Sequence, residues 1–448
     1  VISLLAITAA VKKKRKRCRA FMERILQSRW FTPGVMAFFL VLVFALYGNT
    51  FNSSFHFDDT PSIVKNYELR DLRNLPSILA GQRGVTMATF ALNYAVGELS
   101  VTGYHIVNTL IHALNTILVY LFLFYTLSAL RDDDGGELWS KKIALYAALL
   151  FATHPVQTQS ITYIVQRMES LSALFFLLSM ILFIRGVKCE GLGKRCVLFV
   201  GVVLGYILAF KSKEVAITLP AVVLVYDYCF IAKGSLRDML GRWPLYLVLL
   251  ATLVYFAIST IIPLGGFNDL SPESSGLIAA APAMGASLPS AGFNVESISS
   301  KEYLFTQLNV VVYYIALLIV PINQNLDYDF PVARGFFSTP EVNAGTVLNL
   351  PVWPPVVSFI ILMAIVGLAI YLFMLYRKTG RVVPLVVAFS IFWFFTLLSP
   401  TSSFVPIVDV IFEHRLYLAS LGFFLAFALA FDWVFSLIGK RMASRSGG

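Results

Sequence analysis

Long apolar runs return again and again along this sequence, each closed off by polar or basic residues. A run of roughly 20 such residues crosses a hydrocarbon core of about 30 Å as a helix. Backbone groups in lipid must be satisfied within the segment itself, so the runs read as helices. No long stretch alternates apolar with polar residues, which excludes an outer-membrane barrel. The proportions agree. Of 448 residues, 58% are hydrophobic and 13% charged, too little charge to cover a soluble domain of this size. The fold class is all-α, a polytopic membrane protein with about 10–12 transmembrane helices.

Orientation follows from the basic residues. Val1 to Val11 is a short apolar run and Lys12 to Arg19 is basic. This is the reverse of a signal peptide, which carries its charge first. By the positive-inside rule the cluster is cytoplasmic, and residues 1–33 form a cytoplasmic N-terminal segment. The net charge of +10 is read as a topology signal meeting anionic lipid rather than as a nucleic-acid surface.

From there the spans fall at 34–51, 104–128, 143–154, 168–185, 196–210, 215–232, 243–263, 353–376, 382–399 and 416–437. Arg131, Lys141, Lys142, Arg185, Lys188, Lys194, Arg195, Lys233, Arg237, Arg242, Arg377, Lys378 and Arg381 fall on cytoplasmic turns. The membrane domain is 34–438, with outer loops 52–103 and 264–302, and 439–448 is a basic cytoplasmic tail. Segment 303–321 breaks the parity. It is apolar enough to span, yet both flanks fall outside, so it is re-entrant, surface-lying or a sign of a missed span. Cys18, Cys189, Cys196 and Cys229 all fall near the cytoplasmic face, where thiols stay reduced. No disulfide and no structural metal are expected.

The same map sorts the polar motifs onto the opposite face. His56-Phe57-Asp58-Asp59, His154-Pro155-Val156-Gln157, Lys211-Ser212-Lys213-Glu214, Asn325-Leu326-Asp327-Tyr328-Asp329 and Phe412-Glu413-His414-Arg415 all lie against outer span ends. Charge there is costly and marks function. A carboxylate at Asp58 or Asp59 suits a general base that takes a proton from an attacking hydroxyl. Arg167, Lys213, His414 and Arg415 suit a phosphate, whose developing charge fixed donors stabilise. Base, phosphate clamp and membrane-level cavity together point to transfer from a phospholipid-linked donor. They do not name the group transferred.

Four segments narrow this. FHFDDTPSIVKN resembles the first outer loop of the polytopic GT-C glycosyltransferases, which use lipid-phosphate sugars. THPVQTQSITYIVQRMESLSALFF, KSKEVAITLPAVVLVYD and FEHRLYLASLGFF resemble the membrane part of one branch. That branch is the transmembrane and tetratricopeptide-repeat O-mannosyltransferases and their bacterial relatives. The likeness runs from about residue 35 to 437. It implies inverting transfer of a sugar from a polyprenyl-phosphate donor to a hydroxyl acceptor, Ser or Thr of a protein. Asp58 and Asp59 then match the acidic pair that supplies the base, with Asp58 favoured. Arg167, Lys213 and Arg415 hold the donor phosphate. Glu214, Glu413, His414, His154 and Asp327 bind substrate or organise the site. The donor is the only cofactor-like molecule required, with no divalent metal. The partners are membrane lipid, the polyprenyl-linked sugar and the acceptor, with no nucleic acid. The site faces the periplasm of a bacterial inner membrane, or alternatively the lumen of the endoplasmic reticulum. No 34-residue repeat is visible, and the sequence stops shortly after a predicted inward span. Truncation before the repeats and a member without them both fit, which leaves the acceptor open.

Plainer readings stand beside these. Aspartate before Pro61 also caps helices, and His154 before Pro155 also ends one. Lys211 and Lys213 also snorkel at an interface, and Glu413-His414-Arg415 also suits a structural ion-pair network. Other function classes are a lipid or glycan ligase with a non-protein acceptor, a transporter or flippase, and a scaffold. A transporter shows internal repeats and charge at the midplane. Here no clear repeat occurs and the charge gathers at one face.

Overall fold

The computed structural model describes residues 26, 28–131, 134–261, 298–343, 346, 348 and 350–445. The basic cluster at 12–19, Cys18, most of loop 264–302 and residues 446–448 lie outside them. Among the described residues there are helices and no strand. We label the principal helices α1 (Phe31–Tyr47), α2 (Gly84–Gly97), α3 (Val101–Ser128), α4 (Asp134–Thr153), α5 (Arg167–Lys188), α6 (Leu192–Ser212), α7 (Leu219–Tyr226), α8 (Trp243–Ile261), α9 (Ser300–Ile319), α10 (Pro355–Thr379), α11 (Val382–Leu398) and α12 (Ser420–Arg445). Among the described residues, eight helices are long and apolar enough to cross a membrane, and α8 and α11 contain shorter apolar stretches. The protein is an all-α polytopic membrane protein.

Local chemistry sets several boundaries. Pro355 opens α10 at a position where its missing N–H has no helical partner. Gly380, at φ +68°, closes the same helix in the left-handed region and turns the chain into α11. Ser299 and Glu302 form a reciprocal capping box that starts α9. Gly422 lets α12 approach α11, since a Cβ there would lie 2.3 Å from the Ser390 carbonyl oxygen.

Contacts at the two ends of the bundle fix how the helices run. At one end, Lys142 of α4 pairs with Asp432 of α12. At the other, Gln157 Nε2 donates to Ser420 Oγ at 2.9 Å. Helix α4 therefore lies beside α12 along most of its length. It begins at Asp134, well before the span expected at 143–154. Its first turns are charged, which hides them from a hydropathy reading. Arg131, Lys141, Lys142, Arg242 and Arg377 share the end that carries the Lys142–Asp432 pair. The Asp58-Asp59 loop is at the opposite end.

Helix α9 accounts for the parity problem. Tyr303 Oη donates to Thr401 O (2.6 Å), Gln307 Nε2 to Val410 O (2.7 Å) and Tyr314 Oη to Phe412 O (2.9 Å). Leu318 O accepts from His154 Nε2 at 3.2 Å. These partners span almost the whole of α9, yet all lie at the site end of α4, α11 and α12. A 20-residue helix is about 30 Å long. Were it crossing, one terminus would sit at the far end of the bundle. It lies along the rim instead, its tyrosines and Gln307 turned into the protein. Below it is an apolar cleft lined by Ile315 of α9, Ile365 of α10, Phe394 and Phe395 of α11, and Phe423 of α12.

Single cysteines at Lys301 and Ile319, both exposed positions near the two termini of α9, should react with a membrane-impermeant thiol reagent from the same side. Labelling from opposite sides would mean that α9 crosses.

Candidate active site

The loop after α1 carries the two aspartates in different states. Phe57, at φ +40°, adopts a conformation that a bulky residue rarely occupies, and the chain turns sharply there. Asp59 points inward and is 1% exposed. Its Oδ2 accepts from the His56 N–H at 3.0 Å and its Oδ1 from the Val165 N–H at 2.7 Å. Burial raises its pKa to about 6 against the pull of those two donors. Asp58 is exposed, and its backbone N–H donates to Tyr163 Oη at 2.9 Å. One carboxylate is therefore spent on docking the loop to the segment before α5, and its neighbour stays solvent-exposed beside the Tyr163 hydroxyl.

Arg167 sits behind this docking segment and is fully buried. Its Nε donates to Asn108 Oδ1 (2.6 Å), its Nη1 to Asn93 Oδ1 (2.6 Å) and Thr89, and its Nη2 to Tyr104 O (3.0 Å). The guanidinium also stacks 4.5 Å from the Phe90 ring. Asn108 in turn donates to Ile161 O and Ile164 O, the segment that presents Val165 to Asp59. Where the sequence expectation gives Arg167 the donor phosphate, the structure buries its guanidinium, with Nε, Nη1 and Nη2 each donating within the protein, and it joins α2, α3 and α5.

Arg83, which the sequence reading passed over, occupies the open side. Its guanidinium pairs with Glu214, Nε to Oε1 at 3.0 Å and Nη2 to Oε2 at 3.1 Å. Its Nη1 reaches only the Met168 sulfur, at 3.2 Å, a weak acceptor. Burial works against its charge, but Glu214 above all, then Glu169 and Asp58, outweigh it and raise its pKa. Nothing local marks Arg83 in the sequence, where it follows Arg70 and Arg73 in one loop. Lys213 is buried, 2.5 Å from Glu169 and 3.2 Å from Gln166 Oε1. Desolvation lowers its pKa while Glu169 raises it. Lys211 does not snorkel, since its Nζ caps Ala80 O and Gly81 O at 3.0 Å each.

The segment before α12 completes the site. Glu413 is buried and accepts from Gln324 Nε2, Asn325 N and Tyr328 Oη at 2.5, 3.1 and 2.5 Å. Burial raises its pKa. It pins the 324–328 segment and so orders Asp327, which is exposed. Arg415 donates from Nη1 to Val410 O (3.0 Å) and from Nη2 to Asp409 O (2.7 Å). The Asp409 carboxyl is raised by burial and acts electrostatically with Arg415, Asp327 and Asp58. His414 stacks on Phe412 and feels Lys213, Arg415 and Arg83. Asp58, Arg83, Lys213, Asp327, Asp409, His414 and Arg415 thus form one electrostatic group. His154 stands apart from it. Its Nδ1 accepts from Val156 N and its Nε2 donates to Leu318 O, so it ends α4 and tethers α9.

Comparison with known proteins now adds a family. Protein O-mannosyl-transferase TMTC3 of Mus musculus is 30% identical over 239 residues, 48% of this chain and 24% of the mouse protein. Protein O-mannosyl-transferase TMTC2 of Homo sapiens is 31% identical over 212 residues, 44% of this chain and 24% of its own length. This chain resembles the protein O-mannosyl-transferases. A further one, from Caenorhabditis elegans, is 27% identical over 402 residues, 86% of this chain and 49% of that protein. The chain thus spans half or less of the protein O-mannosyl-transferases named here. No family model and no solved structure matches it.

Two outcomes follow from the Asp59 and Arg167 geometry. Arg167→Met strands the acceptors of Asn108, Asn93 and Tyr104 in the interior. It should cost about 1–3 kcal/mol, as leaving buried polar acceptors unpaired does, read as a lower thermal midpoint in detergent. For Asp59, the folded pKa of about 6 stands above the ordinary 3.8. Its contribution to loop docking is then complete below about pH 4 and is lost as pH rises through about 6. Protection of the Val165 amide from hydrogen exchange, relative to its intrinsic rate at each pH, should fall across that window, and Asp59→Asn should flatten the dependence.

Proposed function

We propose that this chain is the membrane part of an inverting glycosyltransferase, using a polyprenyl-phosphate sugar, with mannose as first choice, and a Ser or Thr hydroxyl of a protein as acceptor. The observation that carries the reading is the division of labour at the aspartate pair. Asp59 is consumed in holding the loop, so Asp58 presents an open carboxylate to a group containing Arg83, Lys213 and Arg415. The names of the protein O-mannosyl-transferase relatives support the same reaction class.

The reaction balances with these residues. Asp58 takes the proton of the acceptor hydroxyl as its oxygen forms a bond to the anomeric carbon. The bond from that carbon to the phosphate oxygen breaks, and its electron pair leaves with the phosphate. Attack opposite the leaving group inverts the anomeric centre. Arg83, Lys213 and Arg415 meet the charge that grows on the phosphate, so the step needs neither a separate general acid nor a divalent ion. Arg83 takes the place first given to Arg167. Glu214 orients it in a two-point pair, and its Nη1, which meets only the weak acceptor of the Met168 sulfur, is the edge offered to phosphate oxygens. Glu413 and Asp327 shape the acceptor side through the 324–328 segment.

The site faces away from the cytoplasm in this reading. The far end of the bundle carries Arg131, Lys141, Lys142, Arg185, Lys188, Arg377 and Lys378, which the positive-inside rule puts in the cytoplasm. The animal source of the relatives favours a lumen-facing site in the endoplasmic reticulum over a bacterial periplasm.

Asp58→Asn should abolish transfer from polyprenyl-phosphate mannose to a Ser/Thr peptide, by about 100-fold or more, with the thermal midpoint unchanged. Arg83→Ala should mainly raise KM for the donor. Wild-type turnover in Asp58→Asn would remove the base from this residue and the reading with it.

A further inference from the structure

His414 is held in one protonation pattern by its neighbours. Its backbone N–H donates to Gln159 Oε1 at 2.6 Å, and the same oxygen lies 3.1 Å from its ring Nδ1. Gln159 Nε2 donates to Leu326 O at 3.1 Å, which turns the amide so that Oε1 faces the histidine. An amide oxygen only accepts, so Nδ1 must carry the ring proton. Three cations, Lys213, Arg415 and Arg83, face the ring and oppose a second proton. Phe412 stacks on it, with ring centroids 4.9 Å apart, and fixes its plane. The imidazole is therefore neutral, with a bare lone pair on Nε2. Among the described residues, no protein group is bonded to that nitrogen.

A neutral acceptor amid cations is an unusual provision. A carboxylate in that place would neutralise the charges that hold a phosphate. A neutral imidazole leaves them intact and still accepts a hydrogen bond. The partner it suits is a hydroxyl, since a phosphate oxygen has no proton to give and an ammonium group would be repelled by the three cations. We propose that His414 Nε2 accepts a hydrogen bond from one hydroxyl of the donor sugar and so sets the sugar's orientation and identity. The inference rests on the glycosyltransferase reading above and adds the positioning residue for the transferred group. Gln159 then acts at one remove, by fixing which nitrogen is bare.

The test uses the full chain in lipid nanodiscs with polyprenyl-phosphate mannose and the set of its singly deoxygenated analogues. In the wild type, one analogue should fall about 10–100-fold in kcat/KM, the cost of leaving a buried acceptor unpaired. His414→Phe should lose a similar factor on the complete donor and lose nothing further with that analogue. His414→Gln, whose side-chain oxygen can stand where Nε2 stood, should recover part of the discrimination. An unchanged ratio between complete and deoxygenated donors in both variants would overturn the proposal while leaving the glycosyltransferase reading in place. Absence of turnover in the wild type would end both. A second measurement needs no turnover. Nitrogen-15 NMR of histidine-labelled protein, assigned with His414→Gln, should report Nδ1 protonated and Nε2 bare, and Gln159→Leu should release that preference. The opposite tautomer in the wild type would also overturn the proposal.

Discussion

The site end of this bundle depends on one buried guanidinium. Arg167 has no solvent to satisfy it, so its donors must find oxygens within the protein, and those oxygens come from two other helices, α2 and α3. That requirement draws α2, which lies outside the membrane span series, down onto α3 and α5. Through Asn108 it also sets the carbonyls of Ile161 and Ile164, and with them the N–H of Val165 that Asp59 needs. The open carboxylate at Asp58 stands at the end of a chain of contacts that starts inside the protein. A buried charge of this kind is not a source of net stability, because its desolvation is heavy. What it contributes is a tie between α2, α3 and α5 that the neighbouring loop is built on.

The remaining charges repeat this arrangement at lower cost. Lys213 with Glu169 and Arg83 with Glu214 are pairs in which a partner restrains the cation without covering it. Arg415 is held by two backbone carbonyls rather than a carboxylate, so its charge is undiminished. One of those carbonyls, Val410 O, also accepts from Gln307 of α9. The rim helix is thus part of what positions Arg415.

The spans were largely legible in the sequence, because a hydrocarbon core imposes a length and a polarity that few other constraints imitate. Where legibility failed, the cause was local. The first turns of α4 hold Glu137, Lys141 and Lys142, and their pairing with Asp432 and Leu26 O is visible only in three dimensions. Helix α9 has the composition of a span, whereas its hydrogen-bond partners lie at the site end of the bundle. At the site, Asp58 with Asp59, Lys213, Glu413 and Arg415 stood out because charge beside a span end is conspicuous. The same rule singled out Arg167, which the structure buries. Its neutral partners, Asn93, Asn108 and Thr89, are distant in sequence and of ordinary composition. Arg83 was missed for the converse reason, as one arginine among several in a loop.

The cleft under α9 has a consequence for supply. Its walls are the faces of α10, α11 and α12 with Ile315 above them, nearly all apolar, so in the proposed reaction the lipid-linked donor reaches it from the bilayer and not from water. A molecule that arrives this way searches a surface. Its effective concentration is a number per unit area, set by its share of the surrounding lipid and by how fast neighbouring lipids exchange places. Diluting the protein in buffer leaves that quantity unchanged, whereas diluting the membrane with unlabelled lipid lowers it directly. Saturation of such a site is a property of the bilayer's composition as much as of the protein.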